Sequence, residues 1–171
     1  NLGGPAVVSM IHASQLAGKN IQYRFFAPAG NDQHATTIKN FLNKTPLKNS
    51  EFITRNDRTP FTIVLSDPTF NQYGERTFIN NIGAAGKISI SDLPSDFFDA
   101  DIIALGGTAL VPRLHDQLDE LLERVNDESY VIVNTVFDFR NERNHPQSPW
   151  PKKKNHDSFE RIDLLIMDKD E

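Results

Sequence analysis

Ile102-Ile103-Ala104-Leu105, closed by Gly106-Gly107, is the stretch that decides the fold class of this chain. An apolar run of this length is typical of a β-strand covered on both faces of a parallel sheet. A helix is predicted to begin at Pro112, and its apolar side chains share one stripe. The stripe consists of Leu114, Leu118, Leu121, Leu122 and Val125. Tyr130–Val136 and Ile162–Met167 are expected to be further buried strands, so the order of elements predicts a βαβ unit in a parallel sheet.

The segment before this unit carries signals for two more helices. Gly3-Gly4-Pro5 leads into an apolar segment that ends at Gly18. Proline in the first turn and glycine just past the end are typical of a helix. Ile21–Ala27 is expected to be a strand, and Asn31-Asp32 is expected to cap a helix that ends at about Asn43.

The middle of the chain has a different character, because it is rich in short β-prone runs separated by turn residues. The runs are Phe52–Asn56, Phe61–Asp67 and Arg76–Ile82. They predict a small antiparallel sheet of two or three strands. Such a sheet is marginally stable alone, so we expect it to pack on another element.

Length and composition exclude several classes of protein. The 171 residues suit one domain, and 38% apolar with 24% charged residues exclude wholesale disorder. The absence of cysteine excludes disulfides and a thiolate zinc site and permits a reducing compartment, so we expect a cytoplasmic protein. With 18 basic and 23 acidic residues the net charge is -5, which attracts neither nucleic acid nor an anionic membrane. No apolar run approaches the roughly 20 residues of a membrane span.

Small and polar residues follow each strand predicted in the α/β part. These segments are Gly30-Asn31-Asp32, Gly106-Gly107-Thr108, Asp138-Phe139-Arg140-Asn141 and Asp168-Lys169-Asp170-Glu171. Ligands of open parallel sheets bind beyond the carboxyl ends of the strands, which predicts a crevice at this edge. The alternative is that loops at strand ends are polar in any case.

Two features at this edge suggest particular ligands. Gly3-Gly4, before a helix, offers backbone N–H groups to an oxyanion or a hydroxyl, although a plain turn would have the same sequence. Asp168 and Glu171 are three residues apart, so one helical turn would bring both carboxylates to one side, which suits Mg²⁺. The alternative is that these acids stabilise a helix N-terminus.

The histidines do not point to a site. They are His12, His34, His115, His145 and His156. Their spacing matches no metal-ligand pattern, and no Ser-His-Asp arrangement can be argued, so we expect them at the surface or at the edge of the core.

A series of motifs nevertheless occurs in a recognisable order along essentially the whole chain. The segments are Gly3-Gly4, Gly30-Asn31-Asp32, Gly74-Glu75-Arg76-Thr77-Phe78, Gly83-Ala84-Ala85, Ala100-Asp101-Ile102-Ile103, Asn134 to Arg140 and Asp168 to Glu171. The series resembles the ribokinase-like (PfkB) carbohydrate kinase family. The last two segments lie where that family has its D-x-N-x-R pattern, matched only loosely, and its N-x-x-E motif.

The resemblance implies an α/β fold with a parallel-sheet, three-layer core, here partial, over residues 1–50 and 84–171. A small antiparallel β lid over residues 51–83 would close on the substrate and could join a homodimer. The implied reaction transfers the γ-phosphoryl of ATP, with Mg²⁺, to a hydroxyl of a sugar, nucleoside or related polyol. Carried over by position, the substrate-binding residues are Gly3, Gly4, Asp32, Gly83, Ala84, Asp138 and Arg140, and the metal residues are Asp168 and Glu171.

Departures from the family keep an alternative open. Val8 stands where the family usually has Asn, and Asp168 replaces another usual Asn. The family's first strand is expected before Asn1, and its catalytic base, in a G-A-G-D motif, beyond Glu171. We therefore expect the isolated chain to be inactive. The alternative is a non-catalytic binding or scaffolding domain with the same fold. An unrelated nucleotide-binding domain has little support, since no phosphate-cradling glycine loop is present.

Overall fold

The computed structural model describes residues 2–17, 20–47, 51–70, 74–144, 147 and 157–169. In chain order the strands described there are β1 (Phe26–Ala29), β2 (Glu51–Thr54), β3 (Phe61–Asp67), β4 (Glu75–Asn81), β5 (Ile102–Gly106), β6 (Tyr130–Asn134) and β7 (Leu164–Ile166). The α-helices are α1 (Pro5–Leu16), α2 (Gln33–Leu42), α3 (Pro112–Asp116), α4 (Leu118–Arg124) and α5 (Phe139–Asn144). None of these helices is long and apolar enough to cross a bilayer.

The strands around Ile102–Leu105 form the parallel sheet that the sequence predicts. The strand order is β5-β6-β7, and both neighbouring pairs are parallel. Side chains that alternate along β5 and β6 point to one face, where α4 covers them. The buried cluster there contains Ile90, Phe98, Ile103, Leu105, Leu118, Leu121, Leu122, Val125, Val131 and Val133. The predicted α/β fold class is confirmed.

The expectation that these strands are buried on both faces is wrong for the described part of the chain. Ile102 is 62% exposed, and all of Leu164–Ile166 is exposed. The physical reason is that α4 and its neighbouring turns cover one face of the sheet, so the alternate side chains face outward.

The single helix expected from Pro112 to Val125 is two short helices, α3 and α4. Gln117 lies between them with φ −107° and ψ 17°, outside the helical range. Its side-chain Oε1 accepts a hydrogen bond from the Ile90 N–H at 3.3 Å. The predicted apolar stripe is still buried after this break, since Leu118, Leu121 and Leu122 all lie in the core.

The middle of the chain divides between two sheets. β3 and β4 form the predicted antiparallel ribbon, in which Ile63 pairs with Ile79. The first of the three β-prone runs does not join them, because β2 pairs in parallel with β1. β1 begins at Phe26 rather than Ile21. The division into core and lid stays a prediction.

Candidate functional site

The start of α1 lies against the end of β5, and two glycines make this approach possible. A Cβ on Gly106 would lie 2.8 Å from the Cβ of Ala6 and 3.1 Å from its backbone nitrogen. Gly107 has φ +66°, and a Cβ there would lie 3.3 Å from Cγ of Pro5. Gly4, at the N-cap of α1, has φ 103°. The first turn of α1 therefore lies directly beside the carboxyl end of the parallel sheet.

The loops that follow β5 and β6 also contact each other. The Gly107 N–H donates to the Asn134 carbonyl at 3.0 Å. A Cβ on Gly107 would also lie 3.8 Å from Cγ1 of Val136, in the segment that follows β6. The predicted substrate residues Gly3 and Gly4 are exposed next to this junction. The structure thus brings the start of α1 and the ends of two parallel strands together.

A buried polar chain links the same two loops. His115 of α3 is 0% exposed, and its Nδ1 lies 2.9 Å from Oγ1 of Thr108. Its Nε2 lies 3.0 Å from Oδ2 of Asp138. Thr108 and Asp138 are buried as well. The expectation that the histidines lie at the surface or core edge is wrong for His115, and the Thr-His-Asp arrangement went unseen in the sequence.

Electrostatics fix the state of this histidine. Burial lowers the pKa of His115, and this outweighs the opposite effect of the Asp138 charge. The imidazole is therefore neutral at pH 7 and carries one N–H. Both contacts are satisfied when the Thr108 hydroxyl donates to Nδ1 and Nε2–H donates to the Asp138 carboxylate.

One signal in the sequence could have located His115. It lies three residues before Leu118 and seven before Leu122, which places it on the apolar side of the helical pattern. A polar residue on a buried face needs hydrogen-bond partners.

Arg140, the other predicted substrate residue after β6, forms an ion pair with Asp116 of α3. Nη1 of Arg140 lies 2.8 Å from Oδ2 of Asp116, and a second bond joins Nη2 to Oδ1. Both side chains are partly exposed, so the pair contributes little to stability. Nε of Arg140 is buried and has no hydrogen-bond partner in the described part of the chain. α3 therefore contacts both Asp138 and Arg140.

Asp32 belongs to a second group, at the base of the β3–β4 ribbon. Its carboxylate caps α2, as predicted, by accepting from the Ala35 N–H at 3.0 Å. It also accepts from the Thr59 hydroxyl at 2.6 Å and from the Thr59 N–H at 2.7 Å. The Thr59 hydroxyl, followed by the backbone donors, lowers the pKa of Asp32 to about 2. The Thr59 hydroxyl in turn accepts from the Gly30 N–H at 3.0 Å.

Gly83 and Ala84 lie where the chain returns from β4, close to where it enters β3. The Ala84 N–H donates to the Arg58 carbonyl at 2.9 Å. A Cβ on Gly83, which has φ +47°, would lie 2.3 Å from the same oxygen, so only glycine fits there without strain. The turn that begins here, Gly83–Lys87, packs against α3. α3 thus contacts Asp138 and Arg140, and it also packs against the turn that contains Gly83 and Ala84.

The predicted metal pair is described only in part. Asp168 is exposed and follows β7, whose Ile166 carbonyl accepts from the Thr135 N–H at 2.9 Å. Glu171 lies outside the described residues. Within the described ranges, no group of three or more His, Asp or Glu side chains is placed to hold a metal ion.

Comparison with known proteins identifies the fold. No protein-family model and no curated protein matches the sequence. In structure the chain is similar to a ribokinase from Giardia lamblia, with a TM-score of 0.64 and 11% sequence identity. The fold is ribokinase-like. The match covers 96% of this chain and 47% of the ribokinase, so the chain spans about half of that protein's length. At 11% sequence identity, this structural similarity shows only the ribokinase-like fold.

Proposed function

We propose that this chain is part of a kinase that transfers the γ-phosphoryl of ATP to a hydroxyl of a sugar, a nucleoside or a related polyol. One observation carries the proposal. In a ribokinase-like fold, the first turn of α1 lies against Gly106 and Gly107 at the carboxyl end of the parallel sheet. Open α/β sheets bind their ligands at that edge.

The residues at this edge suit a polyol and a phosphate. Backbone N–H groups at Gly3 and Gly4 would donate to acceptor hydroxyls. Asp138 would accept from a hydroxyl, and Arg140 would add positive charge on the phosphate side. Phosphoryl transfer depends on positioning of the reacting groups and on stabilisation of the charge that develops. A site formed by the ends of several strands supplies both.

The β3–β4 ribbon would act as a lid. Its two ends are held together by the bond of the Ala84 N–H to the Arg58 carbonyl, and the bonds of Thr59 to Asp32 fasten the entry to β3 to the start of α2. A ribbon fastened at one end can close over the acceptor and exclude water, which otherwise competes for the phosphoryl group.

ATP is the expected phosphoryl donor, and the donor set suits its Mg²⁺. Mg²⁺ is commonly held by one or two carboxylates together with waters and substrate phosphates, rather than by a cage of protein ligands. Asp168 offers an exposed carboxylate after β7, and Glu171 is the expected second one. Mg²⁺ would neutralise charge on the transferring phosphate.

The exposed apolar side chains of the ribbon support a homodimer through the lid. Ile63, Val64 and Leu65 on β3 are about half exposed, as are Phe78 and Ile79 on β4. Exposed strands of this composition are stabilised when a second chain covers them. Light scattering of the full-length protein is expected to show a dimer, and a strict monomer at high concentration would contradict this assignment.

A ligand screen on the full-length protein tests the proposed function. Thermal unfolding is followed with a panel of sugars and nucleosides, with amino acids as the control panel, and ATP consumption is then measured with each compound that stabilises the protein. We expect stabilisation by a polyol and ATP consumption that depends on it. Stabilisation without consumption would favour the non-catalytic binding domain, for which Val8 in place of the family's Asn is the motivating observation.

A further inference from the structure

His115 has no part in the function proposed so far, although it lies between two loops of the candidate site. An apolar side chain at this position would avoid the cost of removing an imidazole from water. The imidazole is instead fully buried, with a hydrogen-bond partner at each ring nitrogen. Such fully satisfied buried networks fix one arrangement of the groups that they join.

The groups joined here come from three separate elements. Thr108 directly follows the glycines at the end of β5, Asp138 follows β6, and His115 lies on α3 between them. Each hydrogen bond is donated towards Asp138. The Thr108 hydroxyl donates to Nδ1 of His115, and the Nε2–H of His115 donates to the Asp138 carboxylate. The Asp138 carboxylate can only accept, so it selects the tautomer with the proton on Nε2, and the Thr108 hydroxyl, which can donate or accept, then donates to Nδ1.

We propose that His115 is a positioning residue, which holds the Asp138 carboxylate in the orientation that the acceptor hydroxyl requires. The proposal rests on the proposed kinase function. His115 has no exposed surface and touches no substrate; it acts through Asp138. A shift of about 1 Å in a group of this kind costs about 100-fold in rate, because the reacting atoms are no longer aligned.

Three substitutions separate positioning from a merely structural role. His115→Gln places an amide N–H near the position of Nε2 and can still donate to Asp138. His115→Asn places its amide near Nδ1 and keeps a partner for Thr108 alone. His115→Phe removes both bonds. Arg113→Gln is the matched control, because Arg113 is exposed on the same helix.

Kinetics of the full-length protein, with kcat and KM measured separately at equal folded concentration, give the first readout. We expect kcat/KM to fall about 100-fold in the Asn and Phe variants, with a clearly smaller loss in the Gln variant and none in Arg113→Gln. Equal activity of all His115 variants per folded molecule, or a loss that follows their unfolding free energies, would overturn the positioning role.

The imidazole ¹⁵N shifts of the same protein give a second readout that needs no activity. We expect His115 to be protonated at Nε2 and unprotonated at Nδ1 at pH 7, and the opposite tautomer would overturn the proposal. If this tautomer is found but the wild-type protein phosphorylates no acceptor, the proposed function fails, and the positioning role falls with it. Activity that is insensitive to His115 refutes the positioning role alone.

Discussion

Thr59→Val tests the bonds at the base of the β3–β4 ribbon. Thr59 is 2% exposed, and valine replaces its hydroxyl with a methyl group of nearly the same size. The hydroxyl accepts from the Gly30 N–H at 3.0 Å and donates to Asp32 at 2.6 Å. The substitution therefore removes an acceptor and a donor without opening a cavity.

The expected loss of unfolding free energy follows from the Gly30 N–H, which is buried and loses its acceptor in Thr59→Val. A Cβ on Gly30 would lie 2.2 Å from the Asp57 carbonyl oxygen and 2.4 Å from the Thr59 nitrogen. The backbone of residues 57–59 therefore packs directly against Gly30. An unsatisfied buried donor costs about 1–3 kcal/mol, and the tight packing places the expected loss at about 2–3 kcal/mol.

Urea unfolding of the wild type and the variant measures this loss. Thr77→Val is the matched control, because Thr77 is exposed on β4, and a change within about 0.5 kcal/mol is expected there. Amide exchange of β3 and β4 should also accelerate in Thr59→Val. A loss as small as that of the control would refute the argument that Thr59 fastens the ribbon.

Three other predictions concern the sheet edge, pH and activity. Gly106→Ala should destabilise the protein by about 1–3 kcal/mol, because its Cβ meets Ala6, and an unchanged Tm would show that α1 moves away freely. The pKa of Asp32 falls to about 2 on folding, so its stabilisation is present above the ordinary value of about 3.9 and disappears as the pH falls through about 2. The difference in unfolding free energy between wild type and Asp32→Asn, measured by urea unfolding, should therefore shrink between pH 6 and pH 2. A constant difference would contradict the lowered pKa of Asp32. The isolated chain should transfer no phosphoryl group to any sugar or nucleoside in a coupled assay, and robust turnover would disprove this.

The sequence predicts the parts of the fold that local patterns determine. The apolar run at Ile102–Leu105 predicts the parallel sheet, and Asp32 is identified as a helix cap because both depend on neighbouring residues. The sequence predicts an antiparallel sheet of two or three strands and leaves the partner of β2 open, since Phe52 and Ile53 suit a strand in either sheet and the packing of the whole chain selects the partner.

The site was harder to predict, because its contacts join residues that are far apart in sequence. Thr108 and His115 are 7 residues apart, and His115 and Asp138 are 23 apart. The second role of Asp32 depends on Thr59, 27 residues away. No spacing rule links such positions, and they meet only when the loops at one edge of the sheet are folded together.

The most direct test of the kinase assignment is the product itself. The full-length protein is incubated with ATP, Mg²⁺ and the polyol that binds it best, and the acceptor is analysed by mass spectrometry. We expect a monophosphorylated sugar or nucleoside that forms only when ATP and folded protein are both present. An acceptor that binds but stays unphosphorylated, with ATP intact, would contradict it.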